Sequence, residues 1–184
     1  MLKTTFKRIA YLGLMLILGF AIYYFLLSPA RQQSSFSSDY KKLSTQAFFS
    51  ANLVNENGVS QAIQQYKGKI IILNFWATWC PPCREEMPEL SQLNNEYKNQ
   101  NAVVLGIAID EQRLVKEFTL STPVSYPLLV AENEGMELSS GLGNDKDVLP
   151  YTVIINTQGE VVKTYFGRIN KPLLETALNP LTIH

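Results

Sequence analysis

The sequence predicts an α/β domain, a central mixed sheet flanked by helices with an N-terminal β-hairpin, preceded by one membrane-crossing helix. Three observations carry this. An uncharged apolar run fills positions 9–27. Apolar runs then alternate with helix-like stretches over 70–131, the order that builds parallel strands joined by crossover helices. Two further apolar runs around a tight turn and a last helical stretch close the chain.

The 184 residues leave room for one domain and an anchor. With 46% hydrophobic and 17% charged residues, the chain can bury a core. Basic and acidic residues number 16 each, but residues 1–30 hold Lys3, Lys7 and Arg8 and no acid. The remainder is therefore net acidic, which argues against nucleic acid as a partner. Only two cysteines and one histidine, His184, are present, so a four-ligand Cys/His zinc site within one chain is excluded. No metal and no cofactor is predicted.

Ile9 to Leu27, IAYLGLMLILGFAIYYFLL, is 19 residues without a charge. As a helix it is about 28 Å long, close to the ~30 Å hydrocarbon core of a bilayer. Lys3, Lys7 and Arg8 lie before it, so residues 1–8 are expected in the cytoplasm and the rest outside. Tyr23 and Tyr24 suit the outer headgroup layer. A signal peptide cut after Ala30 is the competing reading, with small residues in Ser28-Pro29-Ala30; the apolar run is long for one. Both readings export the main domain. Residues 28–46 read as a polar linker, Ser- and Gln-rich, and 47–184 as the domain.

FFSANLVNENGVSQAI (48–63) holds two short apolar runs around Asn57-Gly58, a hairpin signal because both turn residues accept positive φ. IIILNFWA (70–77), apolar but for Asn74, reads as a strand buried on both faces. Positions 83–99 read as a helix with Met87, Leu90, Leu93 and Tyr97 on one side. AVVLGIAI (102–109) is a second buried strand ending at Asp110-Glu111. Residues 111–121 form a short helix with Leu114, Val115 and Phe118 on one side, and YPLLVA (126–131) is a third apolar run. Positions 132–148 are rich in Gly, Asn and Asp, with a helix around Met136–Leu142. PYTVIIN (150–156), the turn at 157–160 and VVKTYFG (161–167) make the second hairpin, and 170–178 a closing helix.

The chemistry lies in Trp79-Cys80-Pro81-Pro82-Cys83. A thiolate at a helix N-terminus is stabilised by unpaired backbone N–H groups and the positive end of the dipole, which lowers its pKa. Cys80, on the loop side, is the candidate attacking thiol. Cys83, one turn in, is the resolving thiol. Pro81 and Pro82 cost little in a first turn and stiffen the loop. A passive disulfide would close too short a loop to be a good staple, and half a zinc site lacks its other half.

GKIIILNFWATWCPPCREEMPEL (68–90) resembles the active-site segment of the thioredoxin superfamily, and is especially similar to the membrane-anchored TlpA/ResA-like thiol:disulfide oxidoreductases. The resemblance runs from about Ala47 to the end and implies a thioredoxin-like fold. It implies that Pro150, after Leu149, is a cis proline facing the two cysteines and binding client backbone, against a trans proline at a strand start. Trp79 matches the aromatic beside the attacking cysteine, against simple core packing. Pro88 matches a kink in the active-site helix. The buried aspartate of cytoplasmic thioredoxins is replaced by Asn74, which cannot act as a base. The resemblance to the ResA-like group implies that a glutamate three residues past the second cysteine serves instead. That position is Glu86, against a solvated first-turn acid; Glu85 and Glu89 are expected to face solvent.

The resemblance implies a protein-disulfide reductase cycling Cys80 and Cys83, in the bacterial cytoplasmic membrane with its catalytic domain in the periplasm or outside the cell. It implies electrons from a CcdA- or DsbD-like membrane thiol donor and client disulfides that include apocytochrome c during cytochrome c biogenesis. A disulfide oxidase or isomerase shares the motif and differs in redox poise. A peroxiredoxin-like peroxidase would want a proline upstream of Cys80, absent from 70–79, and a binding domain without catalysis would not need both cysteines.

Overall fold

The computed structural model describes residues 43–182 and, nearer the N-terminus, residues 11, 13–20 and 23. The chain divides into two units, residues 1–39 and 40–184. The expected membrane span at 9–27 lies partly outside the described residues. Its described positions are helical, and the consecutive side chains Leu14 to Leu18 are all exposed. Among the described residues, no helix is long and apolar enough to cross a membrane.

In the second unit, β1 (Asn52–Asn55), β2 (Ser60–Ala62), β3 (Ile70–Trp76), β4 (Ala102–Ala108), β5 (Leu128–Val130), β6 (Tyr151–Ile155) and β7 (Val161–Phe166) form one sheet. The order is β2-β1-β5-β4-β3-β6-β7. β3, β4 and β5 run parallel, while β1 and β6 join antiparallel and carry the two hairpins. This is the thioredoxin-like mixed sheet. The helices are α1 (Gln46–Ser50), α2 (Pro81–Tyr97), α3 (Gln112–Ser121), α4 (Glu132–Gly141) and α5 (Lys171–Thr182).

β3 is buried over all seven residues, as its mainly apolar sequence predicts. Successive side chains go to opposite faces. Ile70, Ile72 and Trp76 pack with Met87, Leu90 and Leu93 of α2 and Leu174 and Leu178 of α5. Ile71, Leu73 and Phe75 pack with Phe48 of α1, Ile63 and Leu142. Asn94 fastens α2 to the sheet, taking the Val104 N–H at 3.1 Å and donating to the Ser125 carbonyl at 2.7 Å.

Several elements depart from expectation. Of the Asn57-Gly58 pair only Gly58 takes a positive φ, +80°. Asn55 is the reason: its side-chain oxygen accepts the N–H groups of Asn57 and Val59, closing a longer loop than a two-residue turn. The phenylalanines that open 48–63 are in a helix, with Phe48 buried against Phe49. Packing begins before position 47, where Thr45 donates to the Gly159 carbonyl at 2.6 Å. α4 starts at Glu132, ahead of Met136. α2 starts at Pro81, a position where proline's missing N–H costs nothing, and is one element through Pro88.

Gly106 of β4 pairs with Asn74 in register. A Cβ there would come 2.5 Å from Leu128 Cδ2 and 3.2 Å from Trp76 Nε1. Gly106→Ala should therefore cost roughly 1–3 kcal/mol of overpacking, read as a lower urea midpoint with an unchanged m-value.

Candidate active site

β3 delivers the chain to a short turn at Ala77–Trp79, and Cys80 is the N-cap of α2 in extended conformation. Cys80 and Cys83 are joined as a disulfide, with Cα atoms 5.4 Å apart. Cys83 is fully buried and Cys80 is 4% exposed, so the loop-side cysteine is the more accessible residue by a narrow margin in this oxidised state. Trp79 beside it is 66% exposed, which removes the core-packing reading. Pro81 is exposed and Pro82 half-buried.

Asp110, just past β4, holds this turn. Its Oδ2 accepts the Thr78 backbone N–H at 3.0 Å and the Thr78 hydroxyl at 2.5 Å. The sequence offered only a weak signal for this, an acid at the end of the strand that neighbours β3.

The Leu149–Pro150 bond is cis. Tyr151 pairs with Phe75, so Pro150 lies one step further, beside the end of β3 from which the cysteine turn leaves. Leu149 is half-buried and packs against both cores. Asn144, fully buried, shapes the approach: it donates to the Val148 carbonyl at 3.0 Å and accepts the Val148 N–H at 3.1 Å. The sequence marks 132–148 only as rich in Gly, Asn and Asp with a helix around Met136–Leu142, and gives Asn144 no role.

Glu86 is fully buried, one turn after Cys83. Its Oε1 accepts from Asn74 Nδ2 at 2.7 Å and its Oε2 from the Ile169 N–H at 2.9 Å. It is not a solvated first-turn acid. Burial pushes its carboxyl up to about 7. The Ile169 and Asn74 hydrogen bonds and the Arg168 charge pull it down, and the Glu89 charge raises it. The expectation that Glu89 faces solvent is corrected: it is half-buried, and its Oε2 takes the Lys171 N–H of α5 at 2.7 Å. A helix's first N–H groups lack partners within it, and the acid supplies one. Glu85 is exposed and pairs with Arg168 at 2.9 Å. One face of α2 thus holds the β7–α5 connection by three carboxylates.

The family model described as Redoxin matches residues 33–178. The chain belongs to the Redoxin family. It is 34% identical over 119 residues to the thiol-disulfide oxidoreductase ResA of Halalkalibacterium halodurans, covering 64% of this chain and 65% of that protein. It is 30% identical over 128 residues to ResA of Bacillus subtilis, covering 69% of each. A solved thiol:disulfide interchange protein of the thioredoxin family from Chlorobium tepidum superposes with a TM-score of 0.64 at 26% identity, over 72% of this chain and 93% of that one. With Cys80 and Cys83 bridged at the head of α2, this Redoxin-family chain is a thiol–disulfide oxidoreductase. Among the described residues, no group of three or more His, Cys, Asp or Glu could hold a metal ion.

The raised Glu86 group sets a pH dependence. Between 4.5, its ordinary value, and about 7 the native state keeps a proton that the unfolded chain has released, so stability falls as pH rises through that window. The span corresponds to roughly 3 kcal/mol at ~1.4 kcal/mol per pH unit. Urea midpoints of the oxidised protein should fall between about pH 5 and 8. In Glu86→Gln this component should vanish, leaving the variant the more stable protein at the higher pH.

Proposed function

We propose that this chain is an extracytoplasmic, membrane-tethered reductase of protein disulfides, and that Cys80, Cys83 and Glu86 carry the reaction. The observation that carries the reading is the pairing of a cysteine couple at a helix N-terminus with a buried carboxyl one turn on, poised near neutrality. Catalytic acids and bases work best with pKa values near the operating pH.

The reduced Cys80 thiolate attacks a client disulfide. A Cys80–client S–S bond forms, the client's own S–S bond breaks, and its other sulfur leaves as a thiolate. Glu86 takes the proton of the Cys83 thiol. The Cys83 thiolate then attacks the Cys80 sulfur, which frees the second client thiol and leaves Cys80 and Cys83 oxidised. Two electrons have moved to the client. Trp79, Pro81, Pro82, Leu149 and Pro150 form the surface on which the client chain lies. Exposed Trp79 and the cis proline beside the end of β3 support this.

The oxidised pair is recharged by a CcdA- or DsbD-like membrane thiol donor, and the apolar run at 9–27 tethers the domain beside it in the bacterial cytoplasmic membrane. Apocytochrome c, whose two cysteines must be reduced before haem attachment, is the client we propose. The run's length and the basic residues before it support the orientation.

The test is the equilibrium potential of the Cys80–Cys83 pair in thiol buffers. A value at or below roughly −230 mV is expected of a reductase, and one near about −120 mV would make the chain an oxidant. Cys80→Ala should abolish insulin reduction, while Cys83→Ala should accumulate mixed disulfides through Cys80. Full turnover by Cys83→Ala would overturn the two-cysteine cycle.

A further inference from the structure

Trp79 and Cys80 are neighbours held by different means. Cys80 is the N-cap of α2. Its carbonyl accepts the Arg84 N–H at 3.3 Å and its own N–H goes to the Ala77 carbonyl at 3.2 Å. Pro81 and Pro82, with φ fixed by their rings, stiffen the turn that follows. Trp79 has no such seat. Its ring is mostly in water, so packing does little to fix it. Its direction is set by the backbone on either side, Cys80 after it and Thr78 before it.

Thr78 is held from outside its own segment. Asp110 Oδ2 accepts both its N–H, at 3.0 Å, and its hydroxyl, at 2.5 Å. Asp110 Oδ1 accepts the Glu111 N–H at 3.0 Å, so both carboxylate oxygens are engaged and the group is not free to turn. Just before it, the Ile109 N–H bonds the Trp76 carbonyl at 2.8 Å, which keeps β3 and β4 joined up to the point where the turn leaves. Thr78 and Asp110 are both half-buried. Hydrogen bonds to an ionised acceptor are stronger than neutral ones, and partial burial shields them from water.

We propose that Asp110 is a positioning residue for client docking: by clamping Thr78 it points the Trp79 ring out beside Cys80, so that a client protein meets the ring already in place. A side chain that is loose in the free protein must be ordered when a partner binds, and setting it beforehand removes that cost. The clamp therefore favours protein disulfides, which cover the ring, over small disulfides, which need only the Cys80 sulfur. This rests on the client surface proposed above for Trp79.

The test compares two oxidants of the reduced full chain in detergent micelles, insulin and the small uncharged hydroxyethyl disulfide. With each, the two cysteine thiols close to a disulfide and the oxidant's disulfide is reduced to two thiols. The readout is the ratio of the two second-order rate constants, insulin over small disulfide. Both oxidants meet the same thiolate, so a change in its ionised fraction cancels in the ratio. Asp110→Ala and Thr78→Val should each lower the ratio by about 3–10-fold, the cost of ordering one side chain. Thr78→Ser, which keeps the hydroxyl, should recover it. Trp79→Ala should lower the ratio at least as far, and adding Asp110→Ala to it should lower it no further, because the clamp acts through the ring. A ratio unmoved by both Asp110→Ala and Thr78→Val, with Trp79→Ala low, overturns this proposal and leaves the client surface standing. A ratio unmoved by Trp79→Ala overturns both. Should Asp110→Ala fail to fold, Thr78→Val decides, since it keeps the carboxylate charge and the shape of the side chain and loses only one bond.

Discussion

The arrangement depends on one carboxyl group taken out of water. An ionised carboxylate buried without partners costs several kcal/mol, and the usual escape is to stay protonated. Glu86 is held between those outcomes because three elements reach it: α2 carries it, β3 supplies Asn74, and the β7–α5 connection supplies the Ile169 N–H. Glu85 and Glu89, on either side, tie the same connection through Arg168 and Lys171. That connection begins at Gly167, whose N–H bonds the Pro150 carbonyl at 2.8 Å. The acid beside the cysteines and the proline loop are therefore parts of one continuous hydrogen-bonded frame.

The sheet separates two kinds of work. One face of β3, through Ile71, Leu73 and Phe75, meets apolar partners and supplies packing. The other face interrupts its apolar series once, at Asn74, and it is there that Glu86 enters beneath α2. Gly106 opposite Asn74 leaves space that the Trp76 and Tyr126 rings close around. A strand buried on both sides can thus carry a polar group at a single position without losing its place in the core.

Much of this was legible in the sequence, for identifiable reasons. β3, β4 and β6 are mainly apolar runs of strand length, and β7 opens on Val161-Val162 just after a turn, a local pattern that no later contact overrides. The Trp-Cys-Pro-Pro-Cys motif is legible because it is short and distinctive, and Pro150 is reached through the resemblance to the thioredoxin superfamily. What escaped notice was set by distant partners. Asp110 gains its role only when β4 lies beside β3, and Glu89 only when α5 arrives. Asn144 sits where composition says loop, and nothing local shows that its amide would shape Val148. The helix at 46–50 has the same cause: Phe48 is drawn into the core by residues far along the chain.

Trp79 has a consequence for how long a partner stays. It is a large apolar side chain left mostly in water next to a cysteine that is nearly covered. Covering one such ring yields a few kcal/mol at best, against the several kcal/mol lost in joining two molecules. Association through this patch alone is brief. On the cycle proposed above, residence would be set by the sulfur–sulfur bond to the client, which lasts until Cys83 breaks it, so departure would be timed by chemistry rather than by the strength of the surface.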